Sequence, residues 1–492
     1  MELTTLLLAV VVFLIVYFWF RRPASDLPPS PSYRLPIVGH LFHISHDSRS
    51  TFRKWRQQYG DIYSLYMGET YVVVLNGFNM IKETLVKKGD VCSDRPPFYG
   101  DQHCGIPEKG IIFSSGQDWK EQRSVSLSIL RTFGMGKNLL AEKIHDEVGN
   151  YINYLSSLKG KVTDIRMITN ISTSNIICSI LLGQRFEYDN KKFQNLMHIL
   201  GCIVTDQQNV SLLNFVPWLG KIPGDFFMAK KVTSNVRTII DMMETLIESK
   251  KRNIEDSSEV CNLIDAYINE RNKKIQAGIS TYMDDKNLSK IMFDLFVAGT
   301  ETTSTTIYWC ILYILHNPEV QEKVYQEIKD KVGTDRTPTM QDKNQLTYLN
   351  AVIHETQRLG SIVPLSVTHK CTEDITVGGY NIPKGTSIIP NLDSVLHDKT
   401  TWGDDVMSFK PQRFIDNNGK LNVPEQFIPF SIGRRVCLGE GIAKMELFLF
   451  LSSMFQKFQF LPPTPNSIPP LHYECGAVIS PKAYEVKVVE RI

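Results

Sequence analysis

The chain has 492 residues, with 54 Lys and Arg against 52 Asp and Glu and 42% hydrophobic residues. A formal net charge of +2 excludes a strongly basic nucleic-acid binder, and 22% charged with 10% aromatic residues excludes wholesale disorder. The length allows several ordinary domains, or one large body able to enclose a sizeable ligand.

The first element is apolar: from Leu3 to Phe20 no residue is charged. At about 1.5 Å per residue such a helix reaches roughly 27 Å, close to a hydrocarbon core of about 30 Å. Tyr17 and Trp19 stand near one end and Arg21 and Arg22 follow at once. Residues 1–22 are therefore expected to form a single-pass membrane anchor, with the basic flank and the rest of the chain in the cytosol. A cleaved signal peptide fits poorly, because the basic residues follow the apolar run and no small-x-small site appears. Residues 23–40 are rich in proline and predict an extended, semi-rigid leash, leaving 41–492 as the catalytic domain.

Strand patterns follow over Ile62–Met67 and 71–75, around a Gly68-Glu69-Thr70 turn. Between about 115 and 360 apolar residues recur at three- and four-residue spacing, which predicts mostly helix. Segment 209–232 mixes Phe215, Trp218, Leu219, Phe226 and Phe227 with prolines and glycines, and reads as a packed loop or a membrane-dipping lip. Segment 269–290 reads as a polar loop or surface helix. A long helix is predicted from near Leu288, carrying Ala298-Gly299-Thr300-Glu301-Thr302-Thr303. Another over 348–359 puts Glu355 and Arg358 at i, i+3 on one face. Strand signals return over 374–390, with turns at Gly378-Gly379 and Pro383-Lys384-Gly385. The fold class is thus mainly α with small β-sheets. No phosphate-binding Gly-rich loop, HExxH or GxSxG occurs, so nucleotide-loop, zincin and serine-hydrolase readings have no support.

Nine cysteines, irregularly spaced and without a CxxC pair, argue against a disulfide scaffold or a zinc ribbon. One of them, Cys437, sits in a glycine-bearing turn just ahead of an apolar helix. A helix N-terminus favours thiolate, and Arg434 and Arg435 are expected to push the same way. Gly433 and Gly439 are expected to let the backbone approach a flat object, and a lone thiolate suits a fifth ligand to haem iron. For Cys437 taken alone, a buried cysteine at a helix start remains an equal reading.

The whole segment resolves that choice. Phe430, Gly433, Arg435, Cys437 and Gly439 match F-x-x-G-x-R-x-C-x-G, which resembles the haem-binding signature of the cytochrome P450 family of haem-thiolate monooxygenases. Further likenesses fall in the family's order. Ala298 to Thr303 resembles the oxygen-activation motif A-G-x-[DE]-T-T. Glu355 and Arg358 match E-x-x-R. The 409–414 segment resembles F-x-P-E-R-F, with Gln412 in place of the usual acid and Arg413 left to close a triad. Trp119 and Arg123 look like the W-x-x-x-R pair.

The resemblance covers nearly the whole chain and is closest to the drug- and steroid-metabolising branch of the animal microsomal class. It implies the cytochrome P450 fold, a single haem-enclosing domain, with haem b (iron protoporphyrin IX) as cofactor and Cys437 as iron ligand. Trp119, Arg123, His369, Arg435 and Arg95 would donate to the propionates, and Phe430, Gly433 and Ala298 would line the cofactor. Thr302 and Glu301 would guide protons. Phe113, Val297, Ala298, Val363 and Val478 would face a lipophilic substrate. Electrons would come from NADPH through the membrane-bound NADPH–P450 reductase, with cytochrome b5 as a second donor, docking near Lys120, Arg131 and Lys444. The implied location is the endoplasmic reticulum membrane, with no nucleic-acid partner. Two other functions remain open: a haem-thiolate isomerase or dehydratase that needs no reductase, and a non-catalytic haem sensor of gases.

Overall fold

The structure, a computed structural model, describes residues 3–20, 26–31, 34–35, 37–135, 138–253 and 262–491. The basic flank Arg21 and Arg22, part of the expected leash, and Cys261 lie outside the described residues. Helix α1 (Leu3–Phe20) has accessible side chains throughout 3–16. Among the described residues no helix is long and apolar enough to cross a membrane. The rest is mainly helical with small sheets, as the apolar periodicity predicts.

Strands β1 (Ile62–Met67) and β2 (Thr70–Leu75) form an antiparallel hairpin. Its turn is one residue shorter than expected, because Thr70 already pairs with Met67 and Gly68 takes φ +60°. A Cβ on Gly68 would lie 2.4 Å from the Phe215 carbonyl oxygen, so the 209–232 segment leans on this turn. Trp218 and Phe226 of that segment stay 52% and 74% exposed. The described part of the leash is not free-standing. Pro29 O accepts the Ser64 amide at 2.7 Å and Pro28 O the Ser64 hydroxyl at 2.9 Å, which straps 28–29 onto the outer edge of β1. Prolines keep their carbonyls while lacking N–H groups, so they satisfy edge donors without extending the sheet.

Helices α2 (Tyr99–His103), α3 (Gly116–Thr132) and α4 (Arg166–Leu181) lead to α5 (Asp285–His316), the axis of the body. At 32 residues α5 is about 48 Å long. It is buried along most of its length and apolar on nearly every side, as an interior helix must be. It starts at Asp285 instead of near Leu288, because Asp284 caps it by accepting the Asn287 amide at 2.6 Å. The polar first turn concealed that start.

Helix α6 (Thr347–Gly360) ends on Ser361, which takes a left-handed φ of 39°. Strands β3 (His369–Lys370) and β4 (Ser387–Pro390) complete a four-stranded sheet in the order β1-β2-β4-β3, with β2 and β4 parallel. Helix α7 (Glu440–Lys457) then runs through the core. Chain ends and middle thus converge: β3, the loop before α7, the segment after β2 and α3 meet at one site.

Candidate functional site

The loop before α7 is held by its own backbone. Cys437 N donates to Phe430 O at 3.0 Å and Val436 N to Gly433 O at 3.1 Å. Gly433 has φ +82°, and a Cβ there would lie 2.1 Å from the Leu85 carbonyl oxygen. Its smallness therefore serves close contact with Leu85. A Cβ on Gly439 would meet no protein atom within 4 Å, so contact with protein does not explain that glycine.

Among the described cysteines Cys437 is the one with an exposed side chain. Protein nevertheless surrounds most of it, and the thiol pKa is raised, not lowered as expected. Burial is the largest cause. The Gly439 and Glu440 amides and the Arg123 charge pull the other way without prevailing. The two neighbouring arginines do not help: Arg434 pairs with Asp90, and Arg435 turns away. A metal is what keeps such a thiol ionised, because coordination removes its proton.

Arg435 reaches three carbonyls, donating to Ser93 O at 2.7 Å, Ile111 O at 3.0 Å and Ser114 O at 2.5 Å. Arg95 donates to Ile112 O at 3.0 Å, Val367 O at 2.7 Å and Thr368 O at 2.9 Å. Arg123 donates to Val436 O at 2.6 Å. All hydrogen bonds of these guanidiniums go to main-chain oxygens, which fix their positions, and among the described residues no carboxylate lies at ion-pair distance, Asp94 acting on Arg435 only from farther off. Burial first, then repulsion between them, lowers the pKa values of Arg95 and Arg435. The Arg435 guanidinium lies 3.7 Å over the Trp119 ring, and the buried Trp119 indole N–H has no acceptor.

The structure thus brings Arg95, Trp119, Arg123 and Arg435 into one wall. Haem carries two propionate carboxylates, and the buried Arg95 and Arg435 with the half-buried Arg123, beside an unsatisfied N–H, fit that requirement. His369 joins them but is occupied. Its Nδ1 bonds Cys92 O at 2.7 Å, while burial and the Arg95 and Arg435 charges hold its pKa well below the usual value. A neutral ring spending its N–H on Cys92 has no second proton to offer, so the expected donor role requires an anion that lets Nε2 protonate. Trp119→Phe keeps the ring under Arg435 and removes only the N–H. A hydrogen bond to a charged group is worth about 1.5–3 kcal/mol, so haem transfer to a scavenging apoprotein should accelerate by about 10- to 100-fold.

On α5 the accessible positions in a buried run are few. Ala298 is exposed, Val297 and Thr302 are half-buried, and Ala298 and Thr302 lie one turn apart on a shared face. Thr302 Oγ1 donates to Ala298 O at 2.8 Å, leaving its lone pairs free to accept. Glu301 is not brought onto that face. It is buried, its Oε1 accepts from Asn170 Nδ2 of α4 at 3.3 Å, and burial raises its pKa. At Gly299 a Cβ would lie 2.5 Å from Ile177 Cδ1, so this glycine admits α4.

Of the expected substrate contacts, Val297 and Val363 are half-buried beside the main core and Val478 lies in it. Phe113 stacks on Phe98 with centroids 3.9 Å apart. Phe98 was missed, as was what holds this loop to α5. Asp294 accepts the amides of Ile111 and Ile112 at 2.8 and 3.0 Å, and the fully buried Lys290 bonds Asp294 at 2.6 Å. Lys290 also lies 3.4 Å from Asp101 of α2, whose pKa burial pushes up to about 6. The one available signal was Lys290 and Asp294 at i, i+4 flanking the apolar Ile291-Met292-Phe293.

Glu355 and Arg358 form a fully buried pair, with Arg358 Nε and Nη2 donating to the carboxylate at 2.7 and 2.9 Å. Arg413 Nε and the Lys410 amide both reach Glu355 Oε1 at 2.9 Å, so the expected triad closes. Gln412, in place of an acid, instead bonds the Tyr348 hydroxyl at 3.2 Å.

A family model described as Cytochrome P450 matches residues 28–488. The chain is 38% identical over 493 residues to cytochrome P450 2J2 of Homo sapiens, covering 99% of this chain and 96% of that protein. It is 36% identical over 493 residues to cytochrome P450 2D28 of Mesocricetus auratus, covering 98% and 97%. Against cytochrome P450 2D6 of Homo sapiens the identity is 37% over 479 residues, covering 96% and 95%.

Proposed function

The chain belongs to the cytochrome P450 family of haem monooxygenases, and from that premise we propose that it uses reductase-delivered electrons to insert one atom of O2 into a lipophilic small molecule. The observation that carries this reading is the accessible Ala298–Thr302 face on an otherwise buried helix. When bound, haem supplies the oxygen-activating chemistry, and the protein supplies position, electronics and dryness. Cys437 Sγ would ligate the iron. Arg95, Trp119, Arg123, Arg435 and an ionised His369 would hold the propionates, with Phe430, Gly433 and Ala298 alongside. Thr302 Oγ1 would accept and pass protons at the reacting end, while Glu301 holds Asn170 of α4.

Phe113, Val297, Val363 and Val478 would face the substrate, and their apolar side chains favour a steroid, fatty acid or xenobiotic over a polar metabolite. Lys120 and Arg131 are exposed and Lys444 is half-exposed, and an acidic reductase face would dock on them. Residues 1–22 would anchor the chain in the endoplasmic reticulum membrane with the body cytosolic, and the exposed Trp218 and Phe226 would rest on the same membrane. The 28–29 strap ties the proline leash to the body.

Reconstitution with NADPH, a P450 reductase and a lipophilic substrate tests the proposal. Substrate-dependent oxygen uptake with hydroxylated product is the expected result, and its absence would favour an isomerase or a gas sensor. Thr302→Ala should bind haem normally and keep consuming NADPH. Product should fall by about 100-fold, the lower end of what a proton-transfer group contributes, with hydrogen peroxide appearing instead. Unchanged coupling would remove Thr302 from the relay.

A further inference from the structure

Two buried thiols face each other behind the donor wall. Cys92 Sγ and Cys371 Sγ are 3.7 Å apart, and the residues are 0% and 1% exposed. Their segments run antiparallel, with Lys370 N donating to Asp94 O at 2.8 Å and Thr372 N to Val91 O at 2.9 Å. These two contacts bracket Cys92 and Cys371 from either side and hold the two backbones together at the thiols. The sulfurs need to close by roughly 1.7 Å, a side-chain movement. The pair is also chemically unequal. Contact with Cys371 and the charge of Lys88 lower the Cys92 pKa, whereas Cys92 and burial raise that of Cys371. Other buried cysteines have carbonyl or hydroxyl neighbours: Thr233 O for Cys104, Ser174 for Cys178 and Thr356 for Cys310.

We propose that Cys92 and Cys371 form a peroxide-oxidisable dithiol site that closes to a disulfide, stapling 91–95 to β3. The Cys92 sulfur attacks one oxygen of hydrogen peroxide, the O–O bond breaks, and the departing hydroxide takes up the thiol proton as water. The Cys371 sulfur then attacks the resulting sulfenic acid, and the hydroxyl leaves with the second thiol proton as water. The two thiols lose two electrons together, and one peroxide becomes two waters. Hydrogen peroxide is neutral and little larger than water, so reaching a buried pair costs it no charge desolvation.

The location gives the staple a consequence. Cys92 O accepts from His369, Ser93 O accepts from Arg435, and Arg95 follows, while Cys371 lies two residues after His369. The two segments that carry these donors would be joined covalently. The chemistry does not depend on turnover, so it is tested independently of the oxygenase reading.

Haem-loaded protein is treated with hydrogen peroxide, unfolded, alkylated and measured by intact mass and non-reducing peptide mapping. The expected result is a loss of two hydrogens, two fewer alkylated cysteines, and a linked peptide joining Cys92 to Cys371 that dithiothreitol separates. Cys92→Ser and Cys371→Ala should each abolish the link, and Cys104→Ser should leave it. Full alkylation of both cysteines at doses that oxidise exposed methionines would overturn the proposal. So would gain of oxygen at Cys92 without a cross-link, or a link through another cysteine.

Discussion

Cys437→Ala is expected to reduce oxygenase turnover to background and to erase the red-shifted ferrous–CO band that marks a sulfur ligand, while the body still folds. The loop that presents the thiol does not depend on it. Its closure rests on the Cys437 amide bonded to Phe430 O, on Gly433 against Leu85, and on the Arg435 fork into three carbonyls. Removing one sulfur leaves every one of these contacts in place. The donors around Trp119 also remain, so some haem still associates, but without a soft anionic ligand its electronics change. Far-UV circular dichroism of the variant should overlay the parent. An unshifted band in the unsubstituted protein would remove Cys437 as the ligand, and loss of fold in the variant would contradict the backbone account.

Arg358→Leu is expected to produce the largest loss of stability. Arg358 and Glu355 are both 0% exposed, and Arg358 also donates to Leu396 O at 2.8 Å and Val406 O at 2.7 Å. Removing one partner of a buried ion pair costs about 3–5 kcal/mol, because the other charge loses its compensation. Arg413 keeps Glu355 partly paired, which holds the cost toward the lower end for the carboxylate. The two stranded carbonyls add about 1–3 kcal/mol each. Against a typical total of about 5–15 kcal/mol that is a large share, so the urea midpoint and the yield of haem-loaded protein should both collapse. Glu355→Gln, which keeps one acceptor, should lie between. An Arg358→Leu protein within about 1 kcal/mol of the parent would show that the network does not hold the fold.

What could be read from the chain was what is local. The β1 and β2 strand runs around their glycine turn, the helical spacing through α5, and the pairing of Glu355 with Arg358 lie within a few residues or one helical turn. The 430–439 segment is equally compact, and its pattern carried the family likeness. The donor wall draws on positions 95, 119, 123 and 435; one helical turn joins Trp119 to Arg123, but only the likeness placed that pair with Arg95 and Arg435. A glycine announces close approach without saying to what: Gly433 meets Leu85 and Gly299 meets Ile177. The sign of the Cys437 shift was missed because helix amides and arginines are visible in sequence, whereas depth is not. The fully buried Lys290 with Asp101 and Asp294, and the facing Cys92 and Cys371, depend wholly on tertiary contact.

Gly299 and Ile177 occupy one volume between them, with the missing methyl of the first filled by the branched end of the second. The crossing of α4 over α5 is therefore priced jointly at two positions far apart in the chain. A methyl gained at 299 presses on the Ile177 side chain, and carbon lost at 177 alone leaves a void against Gly299. Because Ala298 and Thr302 ride on that same stretch of α5, the permitted exchanges at this crossing set how far the reactive face can wander over evolutionary time.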